Sequence, residues 1–140
     1  MNTASKEKTA SRLRDKKIKA TPQRIAILEY LESGFIHPSA EEIHKALRKK
    51  LAGTSLATVY NTVERLVELQ EANKLNIAED RARYEAKREP HHHFYCKECG
   101  AVIDISVTCP HHRTMEADGH KIEEIHGYFK GTCKTCLAGS

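Results

Sequence analysis

Two cysteine pairs, Cys96-x-x-Cys99 and Cys133-x-x-Cys136, constrain this chain more than any other feature. Thiolates separated by two residues on a tight turn can face one ion, and Gly100 after the first pair permits the left-handed turn that aims backbone N–H groups at sulfur. Four thiolates in a tetrahedron leave no position for water or substrate, so the expected role is a structural zinc site. The competing reading is a redox dithiol, which needs only one pair, usually at a helix start in a βαβ unit. The N-terminus is polar and basic with no apolar core of a secretory signal, and no apolar run reaches the roughly 18 residues of a membrane span. A cytoplasmic home with reduced thiols follows as an expectation, and there paired cysteines favour metal.

The charge is unevenly spread. Residues 1–88 hold 18 Lys+Arg against 12 Asp+Glu, a balance of +6, and residues 89–140 hold 5 against 7, a balance of −2. The second segment also holds seven of the nine histidines and all five cysteines. The first is suited to a polyanion and the second to metal.

Periodicity gives the first segment its organisation. Thr21-Pro22 reads as N-cap and first position of a helix through Ile25, Ile27, Leu28 and Leu31 that stops at Gly34. Ser39-Ala40-Glu41-Glu42 reads as a capping box opening a helix through Ile43 and Leu47 to about Leu51. Ser55 caps a third helix whose apolar positions Leu56, Val59, Val63, Leu66 and Val67 form one face, leaving Ala57, Thr58, Tyr60, Asn61, Glu64 and Arg65 outside. Two extended runs follow, Lys74–Ala78 and Ala82–Ala86, around the turn Glu79-Asp80-Arg81. Helices and a hairpin in a basic segment predict a winged helix-turn-helix domain over residues 1–88. Residues 1–18 read as either a basic arm or an extra helix.

Residues 89–140 predict a small α/β domain, making the chain α+β as a whole. Strands are expected over His93–Cys96, Ala101–Val107 and Lys121–Lys130, with a short helix from Pro110 to about Asp118. So small a unit needs metal or a partner to stand. On a strand His91 and His93 share a face and His92 points away. Asp104 in the neighbouring strand can add an oxygen, and Glu85 and His37 can reach the junction of the two segments. Mixed imidazole and carboxylate ligands suit Fe(II), Mn(II) or Zn(II). Cys109 reads as a buried or idle thiol, or with Pro110 as a haem ligand.

The chain resembles the ferric uptake regulator (Fur) family from about Lys19 to Cys136. The resemblance rests on Ala20-Thr21-Pro22-Gln23-Arg24, Ser55-Leu56-Ala57-Thr58-Val59-Tyr60-Asn61, His91-His92-His93-Phe94-Tyr95-Cys96-Lys97-Glu98-Cys99-Gly100 and Gly131-Thr132-Cys133-Lys134-Thr135-Cys136. It implies a homodimeric, metal-dependent repressor of palindromic double-stranded DNA, with a C-terminal dimerisation domain and a regulatory Fe(II) or Mn(II) held by His37, Glu85, His91, His93 and Asp104. Asp104 and Tyr60-Asn61 lean toward the peroxide-sensing branch (PerR). In that branch Fe(II) and peroxide would oxidise His37 or His91, whereas Mn(II) would not support the reaction. Glu85 departs from that branch, where Asp is usual, and matches many iron-sensing members. The ending Gly127-Tyr128-Phe129-Lys130-Gly131 also departs, and His126 is given no ligand role.

The expected DNA contacts are Thr58, Tyr60 and Asn61 in the major groove and Lys19, Arg24, Arg81 and Arg83 at phosphates. For Tyr60 the alternative is packing between helices. The alternatives for the whole chain are an iron-responsive repressor without peroxide chemistry, a haem-responsive regulator, a metal-storage module, and a zinc hydrolase built on His91, His93 and Asp104. The hydrolase would leave the basic helical segment without a role, and the chain is read as no enzyme.

Overall fold

The computed structural model describes residues 3–34, 36–78, 80–87, 91–107, 115–123 and 127–139, and the chain divides into two compact units, Met1–Lys87 and Arg88–Ser140. No helix among the described residues is long and apolar enough to cross a membrane.

The first unit is four helices and a hairpin: α1 (Thr3–Asp15), α2 (Pro22–Glu32), α3 (Ala40–Ala46), α4 (Leu56–Glu68), β1 (Ala72–Leu75) and β2 (Arg83–Ala86). Three helices start where their caps predict. Thr21 Oγ1 accepts from Arg24 N at 3.2 Å, Ser39 Oγ from Glu42 N at 3.2 Å and Ser55 Oγ from Thr58 N at 3.1 Å, each satisfying one of the amides a helix start leaves open. α3 is shorter than the expected run to Leu51, ending at Ala46 with Leu47 as its C-cap. Beyond it Leu51 N bonds Leu47 O and Thr54 N bonds Leu51 O, while His44 Nε2 lies 2.8 Å from Thr54 O, so this segment folds back as turns. Gly53 takes the left-handed φ of +83° in that return.

Residues 3–15 form a helix, α1, and it belongs to the core. Leu13 is fully buried beside Ile27, Leu28, Leu31, Ile43, Val59, Val63, Leu66 and Tyr84. Arg12 reaches across to Glu32 Oε1 at 2.6 Å and Glu71 Oε2 at 2.8 Å. On α4 the buried face is Val59, Thr62, Val63 and Leu66, with Leu56 and Val67 half-buried against the same core. The hairpin is antiparallel with Ala72 opposite Ala86 and Asn73 opposite Glu85. β1 therefore lies two residues earlier than the expected Lys74–Ala78. Ile77 and Ala78, expected in that strand, are buried in the connection instead.

The second unit holds β3 (His92–Cys96), β4 (Val102–Ile105), β5 (Glu116–Ala117), β6 (His120–Lys121), β7 (Tyr128–Gly131) and the short α5 (Lys134–Ala138). β3 is central, antiparallel to β4 and parallel to β7. The helix expected up to Asp118 does not extend over its described part. Glu116–Ala117 pairs with His120–Lys121, and the turn between them has positive φ at Asp118 (+51°) and Gly119 (+82°), as a tight hairpin requires. Residues 110–114 of that expectation lie outside the described residues, as do Cys109 and His126. The strand expected over Lys121–Lys130 is divided, Lys121 closing β6 and β7 starting at Tyr128. Among the described residues of this unit the only buried hydrophobic side chains are Cys96 and Cys133, so the sulfur cluster stands where a larger unit would have its core.

Candidate metal centres

The two cysteine pairs come together. Cys96 Sγ lies 3.8 Å from Cys136 Sγ and Cys99 Sγ lies 3.9 Å from Cys133 Sγ, and all four sulfurs fall within 4.8 Å of one another. A tetrahedron with Zn–S bonds of about 2.3 Å has edges of about 3.8 Å, so this is the spacing of a closed thiolate zinc site. The first pair rides a turn closed by Gly100 N on Cys96 O at 2.9 Å, with Gly100 at φ +75°. The second starts α5, with Cys133 as its N-cap.

The amides of Cys99 and Cys133 both point at Cys96 Sγ, at 3.5 and 3.3 Å. They hold its thiol down at about 6, as donors to a developing thiolate do. The Cys136 thiol is pushed up to about 12, first by its hydrogen bond with Cys133 and then by burial. A divalent ion held here would accept all four sulfurs as anions. These residues form a structural zinc site.

Each unit also carries a smaller cluster of imidazole and carboxylate. In the first, His37 Nε2 lies 3.3 Å from Glu85 Oε2, and both side chains are almost wholly enclosed. His37 sits in the loop before α3 and Glu85 in β2. Arg83 Nη1 donates to the His37 carbonyl at 3.2 Å and Tyr84 N to Pro38 O at 2.8 Å, which ties that loop to the strand. In the second unit His93 faces Asp104 across the β3–β4 pair. Asp104 Oδ1 lies 3.3 Å from His91 Nε2 and 3.5 Å from His93 Nε2, and the two rings are 4.5 Å apart. His92 points elsewhere, edge-on to Phe129 at 5.9 Å, as strand alternation requires. Ligand atoms 3.3–3.5 Å apart fit edges of a shell with metal–ligand distances of about 2.1 Å. Hard oxygen and imidazole donors suit Fe(II), Mn(II) or Zn(II).

The residues expected to touch DNA are less uniform. Thr58 and Asn61 are exposed on α4, and Lys19 is exposed before α2, where its carbonyl accepts from Arg24 Nη1 at 2.8 Å. Tyr60 is half-buried, and its hydroxyl donates to Glu41 Oε1 of α3 at 2.5 Å, so it packs between helices. Arg81 is exposed in the wing, 3.5 Å from Glu42 Oε1. Arg83 differs. Its side chain is 14% exposed and bound to the His37 carbonyl, which sets it apart from the phosphate contacts expected of it. Sequence reading also passed over Asn73, whose amide touches Glu85. Its signal was the hairpin register, which the expected strands misplaced.

The profile of the ferric uptake regulator family matches residues 15–129. The peroxide-responsive repressor PerR of Staphylococcus aureus (strain Mu50) is 30% identical over 138 residues, covering 93% of this chain and 90% of that protein. A PerR structure from Streptococcus pyogenes, described as a basis for peroxide sensing and gene regulation, is 31% identical with a TM-score of 0.54, covering 94% of this chain and 92% of that one. The Helicobacter pylori ferric uptake regulator, described with three functional metal-binding sites, has a TM-score of 0.77 at 24% identity, covering 96% and 92%, and supports the fold alone. The chain belongs to the ferric uptake regulator family, whose members are metal-responsive transcriptional regulators and not enzymes.

Proposed function

We propose that this chain is a peroxide-responsive repressor in which His37, Glu85, His91, His93 and Asp104 hold one Fe(II) or Mn(II). The supporting observation is that each unit carries its own tight imidazole–carboxylate cluster, His37 with Glu85 and His91 and His93 with Asp104. Two such half-sets satisfy one ion better together than apart, so metal would bias the DNA-binding arrangement of a homodimer. Switching from 1:99 to 99:1 needs about a 10⁴-fold preference of metal for that arrangement. Thr58, Tyr60 and Asn61 of α4 would read a palindromic operator, with Lys19, Arg24 and Arg81 at phosphates. Tyr60 would have to exchange Glu41 for a base or phosphate.

Fe(II), if bound, would promote cleavage of the O–O bond of hydrogen peroxide beside the imidazoles and would be regenerated. A ring carbon of His37 or His91 would be oxidised by two electrons, taking one peroxide oxygen while the other leaves as water, and the residue would cease to be a ligand. The reading predicts Mn(II)-dependent retardation of palindromic AT-rich DNA. It also predicts +16 Da on a peptide carrying His37 or His91 after peroxide treatment of the Fe(II)-loaded protein. Metal-dependent DNA binding without that mass shift would make the chain an iron-responsive repressor, a reading that Glu85 favours. Zinc content is measured in the same samples, because Cys96, Cys99, Cys133 and Cys136 are peroxide targets too.

A further inference from the structure

We infer that Asn73 is a positioning residue for the regulatory metal, acting through Glu85. This rests on the reading of Glu85 as a ligand. Asn73 and Glu85 are directly opposed in the β1–β2 pair. Asn73 Nδ2 donates to Glu85 Oε1 at 3.1 Å, while Glu85 Oε2 faces His37 Nε2 at 3.3 Å. The two carboxylate oxygens are thus divided between two tasks. One is held by an amide on the same hairpin, and the other is turned toward the imidazole.

The amide itself is oriented. Lys87 Nζ donates to Asn73 Oδ1 at 3.3 Å, and an ammonium can only donate, so the carbonyl end of the amide must face Lys87 and the NH₂ end must face Glu85. Lys87 N also bonds Glu71 O at 3.2 Å, which fixes the end of the hairpin. Glu85 is 1% exposed, so solvent does not supply an alternative donor that would let the carboxylate rotate at little cost. Asn73 therefore makes Glu85 a one-oxygen ligand of set direction. Partners in this position tune ligand orientation, and their loss typically costs about 10–100-fold in metal affinity.

The test uses full-length, zinc-loaded protein titrated with Mn(II) by calorimetry, comparing wild type, Asn73→Ala, Glu85→Ala and the double variant. Expected are a loss of about 10–100-fold for Asn73→Ala, a loss at least as large for Glu85→Ala, and no further loss when Asn73→Ala is added to Glu85→Ala. The visible spectrum of Co(II) in the same site, which reports ligand number and geometry, should change in Asn73→Ala as Oε1 is released. A merely structural role would leave that spectrum unchanged. Asn73→Leu, which keeps the size and favours a strand, repeats the measurement should the alanine variant fold poorly. Weakened binding in Glu85→Ala with wild-type affinity and spectrum in both Asn73 variants overturns the role of Asn73 and leaves the ligand reading standing. Unchanged binding in Glu85→Ala overturns the ligand reading and this inference with it. Losses that add fully in the double variant show Asn73 acting independently of Glu85 and likewise overturn it.

Discussion

Tyr84 shows how much a single polar atom in the core governs. It is 1% exposed, and its hydroxyl donates to Glu64 Oε1 at 2.7 Å, where Lys74 Nζ also donates at 2.7 Å. Lys74 first and Tyr84 second hold the Glu64 carboxyl below its ordinary value of 4.5. Burial first and Glu64 second push the Tyr84 phenol well above its ordinary 10.0. The signs follow from linkage. The Glu64 contribution is present above about pH 4.5 and is lost as pH falls below it. The Tyr84 contribution is present below about pH 10 and is lost as pH rises above it, because the unfolded phenol ionises first. Melting followed by circular dichroism should therefore show unit-one stability falling above pH 10, and Tyr84→Phe should shrink that fall. At pH 7 the same variant should cost about 0.5–1.5 kcal/mol, the net worth of one hydrogen bond, since Glu64 keeps Lys74 and is open to water. At the zinc site the expectation is simpler. Cys99→Ser should remove stoichiometric zinc, read by release to a chromogenic chelator, and should abolish the cooperative melting of the second unit. The cysteine spacing alone made that site legible, because two tight turns and a tetrahedron leave few arrangements open.

Among the elements, α2, α3 and α4 were legible at their starts, where Thr21-Pro22, Ser39 and Ser55 are unambiguous caps. Their ends and those of α1 were not. α1 stops at a left-handed Lys17, φ +60°, with Ile18 N on Leu13 O at 3.1 Å, and α4 stops at a left-handed Gln70, φ +61°, with Glu71 N on Leu66 O at 2.9 Å. Both are Schellman endings, which a glycine would have announced and these residues do not. The hairpin was legible as an element but not in register. A turn centred on Asp80 sets Leu75 against Glu85, whereas Asn73 stands there. A two-residue shift keeps every side chain on its face, so alternation could not detect it. What moved was the partner of Glu85, and with it the reason to notice Asn73. Whether residues 3–15 are arm or helix is settled by packing, since Leu13 is fully enclosed. Leu13→Ala should then cost roughly 2–5 kcal/mol in urea denaturation, the range for a buried leucine, where an unpacked arm would give almost nothing.

Across the molecule, charge and site divide the work, since the basic segment carries α4 and the wing while the acidic one carries the thiolates. Binding of a polyanion through such a surface releases counter-ions, so affinity falls with salt in proportion to the phosphates neutralised. Lys19, Arg24 and Arg81 from each protomer of a dimer would neutralise six. The expected slope of log affinity against log salt is then about −5. The structure separates the two wing arginines, which the sequence could not. Arg81 is exposed and paired only across 3.4–3.5 Å with Asp80 and Glu42, contacts weak enough to exchange for phosphate. Arg83 is enclosed and holds the loop that carries His37. Arg81→Ala should therefore weaken binding alike on operator and non-operator DNA and lower the slope by about 2, one contact from each protomer. Arg83→Ala should leave the slope unchanged while weakening Mn(II) binding, because it loosens His37. Fluorescence anisotropy over a salt series, beside a Mn(II) titration of each variant, checks both halves. Equal slopes for wild type and Arg81→Ala would remove the wing from the interface.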